Sequence, residues 1–215
     1  MPIFYQKNIN EGTKLAVWEI DEPELYFNVR VPLQREITHP LKKLQHLAGR
    51  YLLPLLFPDF PNHEIEIADT RKPFLPNEQY HFSISHCNKY AAAIVSRSQR
   101  VGIDVELITP RLFKIKEKFL HREELRFVNS RPAADQLILL SILWSTKEAI
   151  YKWYGAGEVD FSDMMRTFPF SLAIEGELQA AFMNEVLQQN LIVRYKIMNE
   201  LTLVWVASNV VSSIL

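Results

Sequence analysis

With 215 residues, 48% of them hydrophobic and 23% charged, the chain is long enough to bury one large core or two small ones and has the balance of an ordinary globular protein. Its 24 Lys and Arg offset 25 Asp and Glu, so no global field would draw in nucleic acid or an anionic membrane, and any basic site must be local. The single cysteine, Cys87, has no intramolecular partner, no apolar run nears the roughly 20 residues that cross a bilayer, and MPIFYQKNINEG lacks a leader's charged and apolar regions, so a cytoplasmic protein is expected.

In chain order, LAVWEI at 15 to 20 predicts a strand, followed by an acidic turn with a proline. In LKKLQHLAGRYLLPLLF, at 41 to 57, Leu41, Leu44, Leu47, Ala48, Tyr51, Leu52 and Leu55 keep the helical period. That leaves Lys42, Lys43, His46 and Arg50 nearer the polar side. Pro54 has no amide proton and is expected to end or kink this helix near its last turn. A short strand is expected through EIEIA at 64 to 68. Residues 80 to 107 read as β-structure in the runs YHFSIS, YAAAIVS and VGIDVEL, with SRSQR as a turn and a hairpin across 95 to 103.

Residues 109 to 129 are basic and amphipathic, and Leu112, Phe113, Ile115, Phe119 and Leu120 either pack on the rest of the chain or face a partner. Asp135 is placed to cap a helix from about 136 to 154, which Gly155 ends. In the tail, FSLAIEG is expected to pair with ELQAAF, and LIVRYKIM with LTLVWVAS across Asn199 and Glu200. Helices alternating with antiparallel strands make the fold class α+β. YAAAIVS and LVWVAS each follow a helix, a hint of two similar halves, although strands of such composition are common.

The chemistry concentrates in VGIDVEL and ILWSTKEAIYKWYG. Asp104 and Glu106 are two apart on a strand, so their carboxylates share a face, while Ile103, Val105 and Leu107 face a core. Glu148 and Lys152 are four apart on a helix and so are neighbours. Three carboxylates of this kind supply hard oxygen ligands for Mg²⁺, which takes its remaining ligands from water and substrate phosphate. The bland alternative is a solvated strand end and a surface Glu–Lys pair.

Five segments in order, LAGRYLL at 47 to 53, RKPFLP at 71 to 76, FSISHC at 82 to 87, VGIDVE at 101 to 106 and WSTKEAIYK at 144 to 152, resemble the surfactin-type 4′-phosphopantetheinyl transferases. The resemblance implies transfer of the phosphopantetheine arm of coenzyme A to a serine of an apo acyl, peptidyl or aryl carrier protein, with release of 3′,5′-ADP. It implies a single-chain, monomeric pseudo-dimer of two α+β halves, 1–101 and 102–215, with the active site in the cleft between them. Matched position by position, Asp104, Glu106 and Glu148 are the magnesium acids, and Lys152 is the lysine on the pyrophosphate. Ser85 and His86 match the pair at the nucleotide phosphates, Arg50 the arginine at the 3′-phosphate, and Lys72 and Pro73 the adenine side. For the general base the resemblance leaves Glu148 and Glu124, the latter in FLHREEL. It also makes the segment 112 to 120, with Lys114, Lys116, Lys118 and Arg122 among its apolar residues, a surface for an acidic carrier helix.

Arg71 stands where the family pattern has glycine, so an extra cation is expected beside the nucleotide. Ala156 stands where relatives often have lysine, and Pro54 interrupts a helix that relatives usually continue. Trp144 is expected to pack in the core from the face shared with Glu148, and Cys87 to be a buried thiol. Two other functions fit parts of the pattern: a non-catalytic module that binds coenzyme A or a carrier protein, and a metal-dependent nuclease. The missing basic stripe argues against the nuclease, and the complete acid set argues against the module.

Overall fold

The computed structural model describes residues 3–31 and 36–209. The first sheet has four strands: β1 (Ile3–Asn10), β2 (Thr13–Glu19), β5 (His81–Cys87) and β6 (Tyr90–Ser96), in the order β1-β2-β6-β5. Between β2 and β5 the chain forms α1 (Glu24–Asn28), α2 (Pro40–Leu56) and a two-strand ribbon of β3 (Glu66–Ile67) and β4 (Pro73–Phe74). The second sheet runs β7-β11-β10-β9-β8, from β7 (Arg100–Leu107), β8 (Met165–Thr167), β9 (Glu175–Met183), β10 (Gln188–Met198) and β11 (Leu201–Ser208). Its helices are α3 (Arg111–Phe119), α4 (Arg122–Asn129) and α5 (Ala133–Tyr154). Strand pairing is antiparallel in both sheets, so the class is α+β.

Alternation along the strands builds two layers of core. Ala16 and Trp18 of β2, with Ala91, Ala93 and Val95 of β6, face α2 and meet Leu47, Ala48, Leu52 and Leu56. Leu15, Val17, Ala92 and Ile94 face the other way and pack on Ile103, Val105, Leu203 and Trp205 of the second sheet. The far side of that sheet is covered by α5, through Ile142, Ala149, Ile150 and Trp153. The order is thus helix, sheet, sheet, helix. Both sheets also contain the same sequence of a strand, a helix and a hairpin: β2, α2, β5–β6 joined as β2-β6-β5, and β7, α5, β10–β11 joined as β7-β11-β10.

Three local expectations change. No hairpin forms across 95 to 103, because β2 and β5 already occupy both edges of β6, and β7 crosses to the other sheet to pair with β11. The hairpin is instead β5–β6, turning at Asn88 with φ 46°, a left-handed conformation that asparagine tolerates. FSLAIEG is not a strand of its own: Tyr195 accepts from the Ala173 N–H and donates to the Ser171 carbonyl, so this backbone is held by a side chain, and β9 pairs with β10. Asp135 lies within the first turn of α5, which starts after Pro132 without a side-chain cap. By contrast, Gly155 closes α5 in the left-handed conformation, with φ 76°, and Asn199, at φ 53°, turns β10 into β11 as expected. Pro54 sits in the last turn of α2; the Arg50 carbonyl, which it cannot bond, accepts from Asn62 Nδ2 at 3.2 Å.

Candidate active site

At the seam between the sheets, edge strand β5 lies beside edge strand β7. Ser83 Oγ accepts from the Ile103 N–H at 3.2 Å and Ser85 Oγ from the Val105 N–H at 3.3 Å. Side-chain hydroxyls thus satisfy backbone donors on a strand edge that has no strand partner on that side. With Ile103 and Val105 turned into the inter-sheet core, Gly102, Asp104 and Glu106 face α5. A Cβ on Gly102 would run into the Ala149 carbonyl, so glycine is what lets β7 lie this close to the helix.

That approach gathers the sequence-predicted residues. One depression is lined by Ser85, His86, Asp104, Glu106, Trp144, Glu148 and Lys152. Lys152 Nζ donates to Asp104 Oδ1 at 2.7 Å, to Ser85 Oγ at 2.9 Å and to the Ile103 carbonyl at 3.1 Å. Ser85 Oγ in turn donates to Asp104 Oδ1 at 2.8 Å. Burial pushes the Glu106 carboxyl above its ordinary pKa, and the negative charge of Asp104 adds to the effect. Burial also raises that of Glu148; Lys152 opposes this, and Asp104 and Glu106 reinforce it.

Among the described residues no three Asp, Glu, His or Cys side chains close into a metal cage. The donor set nevertheless fits a hard divalent cation. Asp104 Oδ2 is buried without a hydrogen-bond partner, and the charge of Asp104 works against that of Glu106 and, together with Glu106, against that of Glu148. An ion that keeps waters and takes substrate oxygens needs only part of its shell from the protein.

The depression continues into a second one lined by Thr70, Arg71, Lys72, Pro73, Phe82, Ser83, Tyr151 and Gly155, and the two share Ile84 and Lys152. Lys72 lies across Gly155, where a Cβ would collide with it. Burial, with Arg100 nearby, lowers the Lys72 ammonium to a pKa of about 8. Arg71 has φ 65°, so it occupies in strained form the left-handed conformation that glycine takes freely. It is exposed and lines the groove.

Two predicted residues are not brought there. Arg50, on α2, is 5% exposed and is not among the groove's lining residues. Glu124 is buried on the other side of α5, where Oε2 accepts from Lys147 Nζ at 2.6 Å and the His121 N–H at 2.7 Å. Its Oε1 accepts from Thr167 N and Oγ1 at 2.7 and 2.6 Å. Both its oxygens are taken, and Glu124 is not among the groove's lining residues. Its partner Lys147 is fully buried, a role that the residue's place in WSTKEA does not signal. Thr70 and Tyr151 were likewise not foreseen as lining residues; only the adjacency of Tyr151 to Lys152 could have pointed to it.

Comparison with known proteins gives the family. Residues 100–202 match the family model described as the 4′-phosphopantetheinyl transferase superfamily. The chain is 33% identical over 113 residues to 4′-phosphopantetheinyl transferase gsp of Aneurinibacillus migulanus, covering 52% of this chain and 46% of that one. It is 31% identical over 114 residues to enterobactin synthase component D of Salmonella typhi, covering 52% and 47%. To 4′-phosphopantetheinyl transferase AcpT of Escherichia coli O157:H7 it is 30% identical over 152 residues, covering 66% of this chain and 73% of that one. The chain belongs to the 4′-phosphopantetheinyl transferase superfamily. Against the first two relatives the match spans just under half of the relative's length. The family model takes in β7, α5 and β10, and with them Asp104, Glu106, Glu148 and Lys152.

Proposed function

We propose that the protein transfers 4′-phosphopantetheine from coenzyme A to a serine hydroxyl of an apo carrier protein, with Mg²⁺, releasing 3′,5′-ADP. The observation that carries this is the meeting of Asp104 and Glu106 from β7 with Glu148 and Lys152 from α5 in one depression. Asp104, Glu106 and Glu148 would hold Mg²⁺, which when bound supplies charge neutralisation at the pyrophosphate. Lys152 would move its three donors from Asp104, Ser85 and the Ile103 carbonyl towards the phosphates, opposing the negative charge that grows in the transition state. The serine oxygen forms the new bond to the pantetheine-side phosphorus, the bond to the ADP phosphate breaks with its electron pair, and Glu148 takes the serine proton. Ser85 and His86 would border the phosphates, and Arg71, Lys72 and Pro73 the nucleotide.

The repeated order of strand, helix and hairpin supports the reading as a pseudo-dimer, divided where the chain leaves β6 for β7, near residue 101. Halves 1–101 and 102–215 then flank the cleft, in one monomeric chain. On α3, Leu112 and Phe119 are buried while Phe113 is 37% exposed beside Lys114, which supports a carrier-docking role for the outer face alone. No described helix is long and apolar enough to cross a membrane; action in the cytoplasm is part of the reading proposed here.

The test is to incubate the protein with apo acyl carrier protein, coenzyme A and Mg²⁺ and weigh the carrier. A Mg²⁺-dependent gain of roughly 340 Da is expected, one phosphopantetheine group. Glu148→Gln should slow the gain by about 10²- to 10⁴-fold. Coenzyme A binding without any gain on several apo carriers would replace the transferase with a non-catalytic binding module.

A further inference from the structure

Beyond the groove, on the side of Lys72 away from the acids, lies a further pocket. It shares Lys72, Pro73, Phe82 and Gly155 with the groove but none of Ser85, Asp104, Glu106, Glu148 or Lys152. Three basic side chains from three places in the chain line it: Lys72 just before β4, His81 at the start of β5 and Arg100 at the start of β7. None of the three takes part in an ion pair among the described residues, although the same molecule pairs Lys7, Lys43, Lys89 and Arg97 on its open surface. Burial lowers the pKa of His81; Glu78 opposes this, and Arg100 and Lys72 reinforce it, while burial and then Arg100 lower that of Lys72. Glu78 is the one acid in the lining. Phe74, Phe82 and Tyr154 add aromatic rings to the lining.

Lys72 and Arg100 outnumber the single acid Glu78 in this lining, a surplus of positive charge that an anion would offset, and rings beside them favour a flat hydrocarbon body over bare phosphate. We propose that this pocket binds a planar aromatic anion, with its carboxylate or phosphate held by Lys72, His81 and Arg100 and its ring against Phe82 and Tyr154. Because Lys72 and Gly155 border both spaces, occupancy of the pocket would alter the adenine side of the groove. His81, Arg100 and Tyr154 have no part in the proposed transfer, so the pocket goes beyond that reading while Lys72 is common to both.

Calorimetric titration of the full chain with phenyl phosphate, benzoate, benzyl alcohol and inorganic phosphate tests it. Phenyl phosphate should bind at least tenfold more tightly than inorganic phosphate, benzoate should bind and benzyl alcohol should not. Arg100→Gln should weaken phenyl phosphate tenfold or more, and His81→Gln should weaken it too, which covers a failure of the first variant to fold. Lys152→Gln should leave the affinity unchanged. Equal affinity for inorganic and phenyl phosphate would overturn the aromatic pocket. Loss of binding in Lys152→Gln with none in Arg100→Gln would move the probe into the groove and overturn the separate site, as would no binding by the wild type.

Discussion

A serine hydroxyl has one proton to give and two lone pairs to receive with, and Ser85 uses all three. It donates to Asp104 and accepts from Lys152 and the Val105 amide, so one small side chain joins the first sheet, the second sheet and α5. Neighbouring Cys87 shows how far its surroundings can shift a group: it is 8% exposed and its thiol is pushed up to about 12, mainly by burial, with the charges of Glu106 and Asp104 adding to it. At pH 8 only about one thiol in ten thousand would be ionised. Iodoacetamide should therefore leave the native protein unmodified at pH 8 and label Cys87 once urea unfolds it; rapid labelling of the native state would contradict the burial.

Helix α5 is the element on which the site depends. It is apolar on nearly every side, because it covers the second sheet on one face and meets Leu112, Phe119 and Val128 of α3 and α4 on the other. Its one deep charge, Lys147, spends its donors on Glu124 Oε2, the Phe161 carbonyl and the Met165 carbonyl. Burial lowers its pKa against the pull of Glu124. Lys147→Met would strand a buried carboxylate and should cost about 3–5 kcal/mol in urea denaturation. On the sheet side, Gly102→Ala forces β7 away from Ala149 and should cost at least about 1–3 kcal/mol, seen as a lower melting temperature. Since Asp104 and Glu106 ride on the same strand, this variant should also lose coenzyme A binding. Unchanged binding would mean that the acids do not need the close approach.

For the whole molecule, the decisive contact is the core between the sheets. Leu15, Val17 and Ile94 are covered by the second sheet through residues such as Ile103, Val105, Leu203 and Trp205, and cover them in turn. Neither sheet can expose that face cheaply, at roughly 25 cal/mol per Å² of apolar area. Backbone amides of β2 and β6 and of β10 and β11 should therefore exchange with solvent through one global opening, with the same free energy and the same denaturant dependence. Protection that survives in β10 and β11 after β2 and β6 have lost it would show two independently stable halves.

Local spacing was enough to place Asp104 and Glu106 on one strand face and Glu148 beside Lys152, because periods of 2 and 3.6 are properties of the chain itself. The long helices, the Asn199 turn and the αL cap at Gly155 were legible for the same reason. Partner choice was not. Whether β7 would join β6 depended on the edges of β6 being taken by β2 and β5, and nothing in SRSQR encodes that. Glu124 and Arg50 sit in segments that match the family pattern, yet the structure directs Glu124 to Lys147 and keeps Arg50 out of the groove lining, because burial is set by what packs alongside. The sequence by itself determined which face of its own element Asp104, Glu106, Glu148 and Lys152 would occupy. Only the tertiary structure decided which faces meet, since the contacts that do so, Gly102 on Ala149 and Ser85 on Val105, join residues that no local period relates.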